Sequence, residues 1–271
     1  MREVYTYSIA EVRPYIDWRY FFHAWQMSGK PHAEQHVLRE DAQRLLDQFE
    51  DHYNTHAIVA VMEAYGDGDD IVIGNQRLPM LRQQHPDTGD AHCWSISDFV
   101  RPLSSDKKDR IGVFAATVHP MMEKEHGDDP YLRMLSQTVA DRLAEATTER
   151  LHEQVRKQLW GYGRDENLTI AQMLDGCYQG IRPAVGYPSM PDTSVNFIID
   201  KLIDMASIGI RLTEHGAMRP HASVSGLMIS HPRSRYFNIG KIGEDQLADY
   251  ACRRGIPVDL ARKFLSSSMI R

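Results

Sequence analysis

The sequence lacks most of the patterns that mark a particular chemistry. Its 271 residues contain three cysteines, Cys93, Cys177 and Cys252, whose odd number and wide spacing argue against a disulfide framework and a CxxC site. Thirteen histidines are present without an HExxH motif or a His/Cys cluster, so no metal site is predicted. Neither a GxGxxG fingerprint nor a Walker A loop occurs. A nucleotide-like ligand must therefore be held by something other than a glycine turn before a helix.

The chain also lacks a basic charge balance and a long apolar run. Its net charge of -6 argues against a nucleic-acid-binding surface, because phosphate binding needs a basic face. No apolar run approaches the roughly 20 residues needed to span a bilayer. The N-terminal segment does not show the basic-then-apolar pattern of a secretory signal. The sequence thus predicts a cytoplasmic protein that binds neither nucleic acid nor membrane.

What the sequence does contain is a series of helices and strands in local runs. Helices are predicted over about 8–27 with a break near Pro14, and over 33–53, 130–160, 194–209, 243–255 and 257–268, with Thr169 as the N-cap of a further helix. Strands are predicted over 56–65, 67–74, 96–102, 110–118, 210–218, 223–232 and 235–242. Because these elements do not alternate as βαβ units, we predict a single α+β domain over residues 1–271 with a mainly antiparallel sheet flanked by helices.

The segment 180–192, GIRPAVGYPSMPD, differs from the rest of the chain. It holds three prolines and two glycines, which restrict φ or permit unusual φ, and so it is predicted to be a stiff, extended surface loop. Arg182 in this loop offers a planar fork of donors that suits a carboxylate. Taken alone, however, Arg182 fits a structural ion pair better, and Tyr187 fits a core tyrosine.

Four segments together resemble one family. The segment 179–192, QGIRPAVGYPSMPD, resembles the RPxxGYP loop of the activation domain of cobalamin-dependent methionine synthase. The other three, in the family's order, are YIDWRYFFHAWQMSGK, ADRLAEATTERLHEQVRKQLWGY and LTEHGAMRPHASVSGLMISHPRSRYFNIGKIGEDQLADYACRRG. Residues 30–110 match only weakly. The resemblance implies the fold of that domain.

The resemblance also implies a binding site for S-adenosylmethionine. The methionine end of this ligand is zwitterionic and its sulfonium is a fixed cation, so its receptor needs charges of both signs. By resemblance, Arg182 binds the ligand carboxylate and Asp17 contacts its amino end. Backbone groups around Ala184 meet the adenine, and Tyr236 and Phe237 line the same site.

Two further residues match family positions. Glu145 matches a carboxylate on the family's long helix, although a glutamate in mid-helix is usually solvated. Tyr187 matches a tyrosine on the cobalamin-facing side, where its hydroxyl can hydrogen-bond a cobalt-bound water. His231 is better interpreted as structural than as a cobalt ligand. In the family the cobalamin-binding histidine belongs to a separate module with a DxHxxG motif, which does not occur in this sequence.

The function implied by the resemblance is reductive reactivation of methionine synthase. A flavodoxin-like donor reduces cobalamin carried by a partner module, and S-adenosylmethionine then methylates cob(I)alamin. The chain needs no covalent catalytic residue, because it acts by positioning, and it is expected to be inactive alone. It is either a separately encoded subunit or a fragment of a longer enzyme. Two alternatives stay open, a sensor of S-adenosylmethionine and a reactivator of another corrinoid methyltransferase, although Tyr187 favours transfer over sensing.

Overall fold

The computed structural model describes residues 2–126 and 128–270. Its strands are β1 (Arg2–Ser8), β2 (Asn54–Asp67), β3 (Asp70–Ile73), β4 (Gln76–Pro79), β5 (Asp109–Val118), β6 (Arg211–Leu212), β7 (Met218–Arg219) and β8 (Ser223–Met228). Its helices are α1 (Ile9–Val12), α2 (Trp18–Ala24), α3 (His32–Glu50), α4 (Pro130–Gln154), α5 (Ile170–Leu174), α6 (Asn196–Ile203), α7 (Glu244–Arg254) and α8 (Val258–Phe264). No helix in these described ranges is long and apolar enough to cross a membrane.

Six of the strands form one antiparallel sheet. Its order is β4-β3-β2-β5-β8. Strand β1 pairs with residues 54–60 of β2, on the same side of β2 on which β3 pairs with residues 64–67. Strands β6 and β7 form a separate small hairpin. The predicted α+β fold with a mainly antiparallel sheet is therefore confirmed.

Both faces of this sheet are buried, because successive residues of a strand point to opposite sides. Ala57 and Val59 of β2 pack in a core with helices α3 and α4. Ile58 and Ala60 pack in a second core with helices α6, α7 and α8. The sheet thus separates two helical layers, and residues attached to its edge can contact either layer.

The long helix α4 crosses the first face and contacts β2, β5 and β8. It begins after Asp129, whose carboxylate accepts the N–H groups of Tyr131 and Leu132 at 2.8 and 3.0 Å. It continues as a π-helical turn at Val155–Leu159 and ends before Gly161, so the helix predicted over 130–160 is confirmed. The predicted N-cap of α5, Thr169, is confirmed as well.

Several local predictions are wrong. Residues 96–102 contain a 3-10 helix, Ile96–Phe99, in place of a strand, because a Ser95–Asp98 capping box satisfies the first amides locally. Residues 235–242 form no strand, and only an isolated bridge occurs there, between Ile242 and Met269. The helix predicted over 194–209 is interrupted at Asp204, which adopts a left-handed φ of 55°. The break near Pro14 is confirmed, since Arg13–Tyr15 is a 3-10 turn between α1 and α2.

Candidate functional site

The extended segment 181–185 lies alongside β8, the last strand of the sheet. Ile181 exchanges two backbone hydrogen bonds with Ile229, both of 2.9 Å, and the Val185 N–H donates to a carbonyl of β8 at 2.9 Å. Between them, the carbonyl of Pro183 accepts an N–H of β8 at 3.0 Å. The extended conformation predicted for 180–192 is confirmed over residues 181–185, which the sheet edge holds in place, whereas residues 185–190 form turns.

A glycine makes this close pairing possible. A Cβ atom on Gly226 of β8 would lie 2.2 Å from the carbonyl oxygen of Pro183 and 2.9 Å from Cα of Ala184. Any side chain would collide with backbone atoms at these distances. The glycine of the ASVSG sequence is therefore required by the approach of two backbones.

Successive residues of the segment 181–185 point to opposite faces of the sheet, so Arg182 and Ala184 share one face. Ile181 and Val185 belong to the core beside α6, whereas Ala184 belongs to the core beside α4. Because the polar groups of residues 181, 183 and 185 face β8, the amide N–H groups of residues 182 and 184 point away from it. The hydroxyl of Tyr236 accepts the Arg182 N–H at 2.9 Å. The Ala184 N–H is thus directed beyond the sheet edge.

Arg182 is buried, with 8% of its surface exposed, so the expectation that it lies in a surface loop is wrong. Its guanidinium donates to Glu149, and Nη1 lies 3.9 Å from Glu145. These carboxylates are one turn apart on α4 and therefore share a face. Burial alone lowers the pKa of Arg182, but the charge of Glu149 and nearby hydroxyls outweighs burial and raises it. Arg182 thus remains a cation.

This ion pair is incompletely satisfied within the described part of the chain. The Nε atom of Arg182 and one carboxylate oxygen of Glu149 are buried and have no hydrogen-bond partner there. Buried polar atoms almost always have partners, and leaving one unpaired is costly. The two orphaned atoms therefore mark a place where a polar ligand or a water would complete the hydrogen bonding.

Two tyrosines border Arg182 on its exposed side. Tyr187 is 49% exposed, yet its hydroxyl donates to Glu145. Desolvation of the hydroxyl and the Glu145 charge raise the pKa of Tyr187, which keeps it a neutral donor. Tyr236 is 54% exposed and anchored by its bond from the Arg182 amide. Four of the predicted residues, Arg182, Glu145, Tyr187 and Tyr236, therefore form one connected group.

The fold that carries this group matches known proteins. Residues 8–255 match the family model described as "Vitamin B12 dependent methionine synthase, activation domain". The chain belongs to this family. A solved structure, "Crystal Structure of the MetH Reactivation Domain bound to AdoHcy", is 36% identical and has a TM-score of 0.92, over 100% of this chain and 91% of that one. The family expected from the four sequence segments is therefore confirmed.

In this activation domain, a buried polar layer that sequence reasoning missed lies behind Arg182. Arg156 is fully buried, pairs with Glu166 at 2.7 Å and stacks 4.2 Å from the ring centre of Tyr178. The ring of His152 meets Tyr178 edge-on at 4.8 Å. Burial, together with the charges of Arg156 and Arg182, holds the pKa of His152 well below its usual value, so this histidine is neutral.

The spacing of polar residues along α4 in the sequence indicates this buried polar layer. Glu145, Glu149, His152 and Arg156 follow one another at intervals of four, three and four residues, which places all of them on one helix face. A polar stripe on a helix that is otherwise buried indicates a polar partner. Glu149 is the member of this stripe that contacts Arg182 and was absent from the predicted site.

Asp17 and Phe237 make their contacts elsewhere. Asp17 caps α2, and its carboxylate binds the side chain of Arg19 at 2.7 Å, which in turn binds Asp175 at 2.7 Å. Phe237 is buried on the opposite sheet face, 6.4 Å from the ring centre of Phe99. Among the contacts of residues 2–126 and 128–270, neither residue touches Arg182, so their ligand contacts stay predictions.

Helix α2 nevertheless lies beside the cluster, because it packs on α4. Its Tyr20 ring lies 6.0 Å from the guanidinium of Arg142, less than one turn before Glu145 on α4. The candidate site is thus the surface between α2, α4 and the segment 181–188.

A separate cavity of about 430 Å³ lies away from this site. It is lined by Arg82, His92, Cys93, Trp94, Asp98, Phe99, His231 and Arg233, none of which contacts the Arg182 cluster in the described structure. Burial and the charge of Arg233 lower the pKa of His231. In the same described ranges, no group of three or more His, Cys, Asp or Glu side chains could hold a metal ion.

Proposed function

We propose that this activation domain binds S-adenosylmethionine between α2, α4 and residues 181–188, and positions its methyl group for transfer to cob(I)alamin on a partner module. The process is the reductive reactivation of cobalamin-dependent methionine synthase. The observation that carries the proposal is the buried Arg182 cation, set between two carboxylates and beside the outward-directed amide of Ala184.

The charges and donors of the site fit the parts of this ligand. Arg182 has an unpaired Nε donor that suits the ligand carboxylate. Glu145 and Asp17 supply negative charge for the ammonium and the sulfonium. The Ala184 amide suits a ring nitrogen of adenine, and the exposed ring of Tyr236 provides a flat surface beside it. Phe237 would support Tyr236 from the neighbouring core.

The chain's own part in the reaction is positioning. Cob(I)alamin on the partner module would supply the nucleophilic electron pair, S-adenosylmethionine would supply the methyl group, and S-adenosylhomocysteine would be the leaving group. No side chain has to form a covalent bond, so the acceleration comes from alignment and from exclusion of water. The half-exposed Tyr187 lies where a cobalamin-bearing partner would approach. Residues 1–271 then act as one domain, in the cytoplasm, and receive cobalamin reduced by a flavodoxin-like donor.

Ligand binding is tested directly by isothermal titration of the chain with S-adenosylmethionine and S-adenosylhomocysteine at concentrations up to millimolar. The expected result is saturable heat and a thermal shift with both ligands, since the solved MetH reactivation domain contains AdoHcy. Absence of heat and of a thermal shift with both would refute the proposal.

Methyl transfer is tested by reconstitution. With a cobalamin-loaded partner module, S-adenosylmethionine and a low-potential electron donor, the chain should restore the absorption spectrum of methylcobalamin, and alone it should not. Tyr187→Phe should bind the ligand normally, reduce transfer only modestly, and change the cobalt coordination spectrum of the complex. Tight ligand binding without methylcobalamin formation on any cobalamin-bearing partner would instead identify a sensor. Methylcobalamin formation with another corrinoid protein, but not with a methionine synthase module, would identify a different reactivator.

A further inference from the structure

Arg182 has two carboxylates within reach but uses them unequally. Its guanidinium is in hydrogen-bond contact with Glu149, whereas the nearest oxygen of Glu145 is 3.9 Å from Nη1. Glu145 is instead engaged by the neutral hydroxyl of Tyr187. Since a hydroxyl donates a hydrogen bond without carrying a charge, the contact with Tyr187 does not neutralise the Glu145 carboxylate. The cluster of these three ionised residues therefore has a surplus of one negative charge.

Of the other charged groups around the cluster, Arg156 is paired with Glu166 behind the site, and burial keeps His152 neutral. Arg142, less than one turn before Glu145, lies near the ring of Tyr20, and its charge acts on the carboxylate of Asp141 and on the hydroxyl of Tyr187. The Nε atom of Arg142 has no hydrogen-bond partner in the described ranges. Glu149 takes the hydrogen bond of the Arg182 guanidinium, so Glu145 is left with the longer contact of 3.9 Å.

We infer that Glu149 is a positioning residue that determines charge selectivity: by holding Arg182, it keeps the negative charge of Glu145 available for the sulfonium of the ligand. This inference rests on the proposed binding of S-adenosylmethionine. S-adenosylhomocysteine has the same carboxylate, ammonium and adenine but lacks the sulfonium charge. The ratio of the two affinities therefore isolates the interaction in question. Without Glu149, Arg182 would turn to Glu145 and cancel its charge.

The test compares the dissociation constants of both ligands for the wild-type chain, Glu149→Gln, Glu149→Asp and Glu145→Gln. Glu149→Gln should weaken S-adenosylmethionine relative to S-adenosylhomocysteine by roughly fivefold to tenfold, the scale of a partly buried charge interaction. Glu149→Asp keeps the charge and should restore most of the ratio. In the double variant with Glu145→Gln the two losses should not add, because both act through the same carboxylate.

Glu153 offers a matched control. Its side chain is 16% exposed against 15% for Glu149, and it lies one turn further along α4, but it pairs with Lys157. Glu153→Gln removes the same charge at the same burial and should leave the ratio of affinities unchanged. A thermal scan of each variant separates loss of fold from loss of selectivity.

The outcomes distinguish this inference from the proposed function on which it rests. If the wild-type chain binds neither ligand, the inference and the proposed function are both refuted. If it binds both, and Glu149→Gln weakens them equally or shifts the ratio no more than Glu153→Gln does, the role of Glu149 is only structural. In that case the inference is overturned while the proposed function stands.

Discussion

The two ends of the proposed site are built in opposite ways. At one end, the segment that carries Arg182 is hydrogen-bonded to β8 and its guanidinium is buried beside the ring of Phe114. At the other, Asp17 caps a short helix and is covered by Arg19, whose side chain is 63% exposed. The bonds to β8 already order the end that carries Arg182. At the other end the side chain of Asp17 is only 14% exposed, but its partner Arg19 lies largely in solvent, so this ion pair is weak and easily exchanged. We expect affinity and stability to depend chiefly on the buried end.

The largest effect is expected from Arg182→Ala. The variant leaves the partly buried Glu149 without its counterion, so the free energy of unfolding should fall by about 3 kcal/mol. Affinity for S-adenosylmethionine should fall roughly tenfold to a hundredfold. Urea unfolding and titration calorimetry measure the two losses. Because Arg182 is buried, its removal should affect the fold as well as ligand binding.

A double variant separates these two losses. Arg182→Met combined with Glu149→Leu replaces the buried ion pair by apolar side chains, which is often neutral for stability. Stability should therefore recover while ligand affinity does not. Recovery of binding in the double variant would show that Arg182 is a structural ion pair without a ligand role.

A smaller effect is expected from pH, through His152. Its pKa is lowered in the folded chain, so the unfolded chain binds more protons once the pH falls below about 6.5. Stability should therefore decrease toward acid, by up to about 1.4 kcal/mol per pH unit from this residue. His152→Gln should remove that part of the slope in urea unfolding between pH 7.5 and 5.5.

His56 and His231 also have lowered pKa values and will leave a residual slope in every variant. An unchanged slope in His152→Gln would mean that His152 can be protonated inside the fold.

The smallest effect is expected from Asp17→Asn. Asparagine caps a helix about as well as aspartate, so α2 and the thermal midpoint should be preserved while the charge is lost. Affinity for S-adenosylmethionine should fall by less than about fivefold, as is usual for an exposed ion pair. If calorimetry shows a hundredfold loss of affinity for S-adenosylmethionine, the two ends of the site contribute about equally and the proposed difference between them is wrong.

The sequence predicted those features that depend on local chemistry. The prolines and glycines of 180–192 indicated a stiff segment, and the apolar spacing of 130–160 indicated the long helix α4. The burial of Arg182 could not be predicted in this way. It depends on Glu149, which lies 33 residues earlier, and on the pairing of its segment with β8, which lies some forty residues later.

The wrong predictions have the same origin. Residues 96–102 and 235–242 have apolar and β-branched or aromatic residues typical of strands, but no neighbouring strand offers them a ladder of hydrogen bonds. Ser95 and Asp98 bind the backbone of the first segment instead. In the second segment, Tyr236 is directed to the Arg182 amide and Phe237 to the opposite core. In both segments the lack of a neighbouring strand in the described structure outweighed the local preference for a strand.

Residues 181–185 also protect the sheet. Strand β8 pairs with β5 on one side only, and without this segment its other side would be an open row of backbone donors and acceptors. Such open edges recruit strands from other chains. A substitution that releases the segment, such as a side chain at Gly226, therefore exposes an edge to self-association. Its expected product is an aggregate, so the stretch proposed to bind the ligand also shields the sheet from self-association.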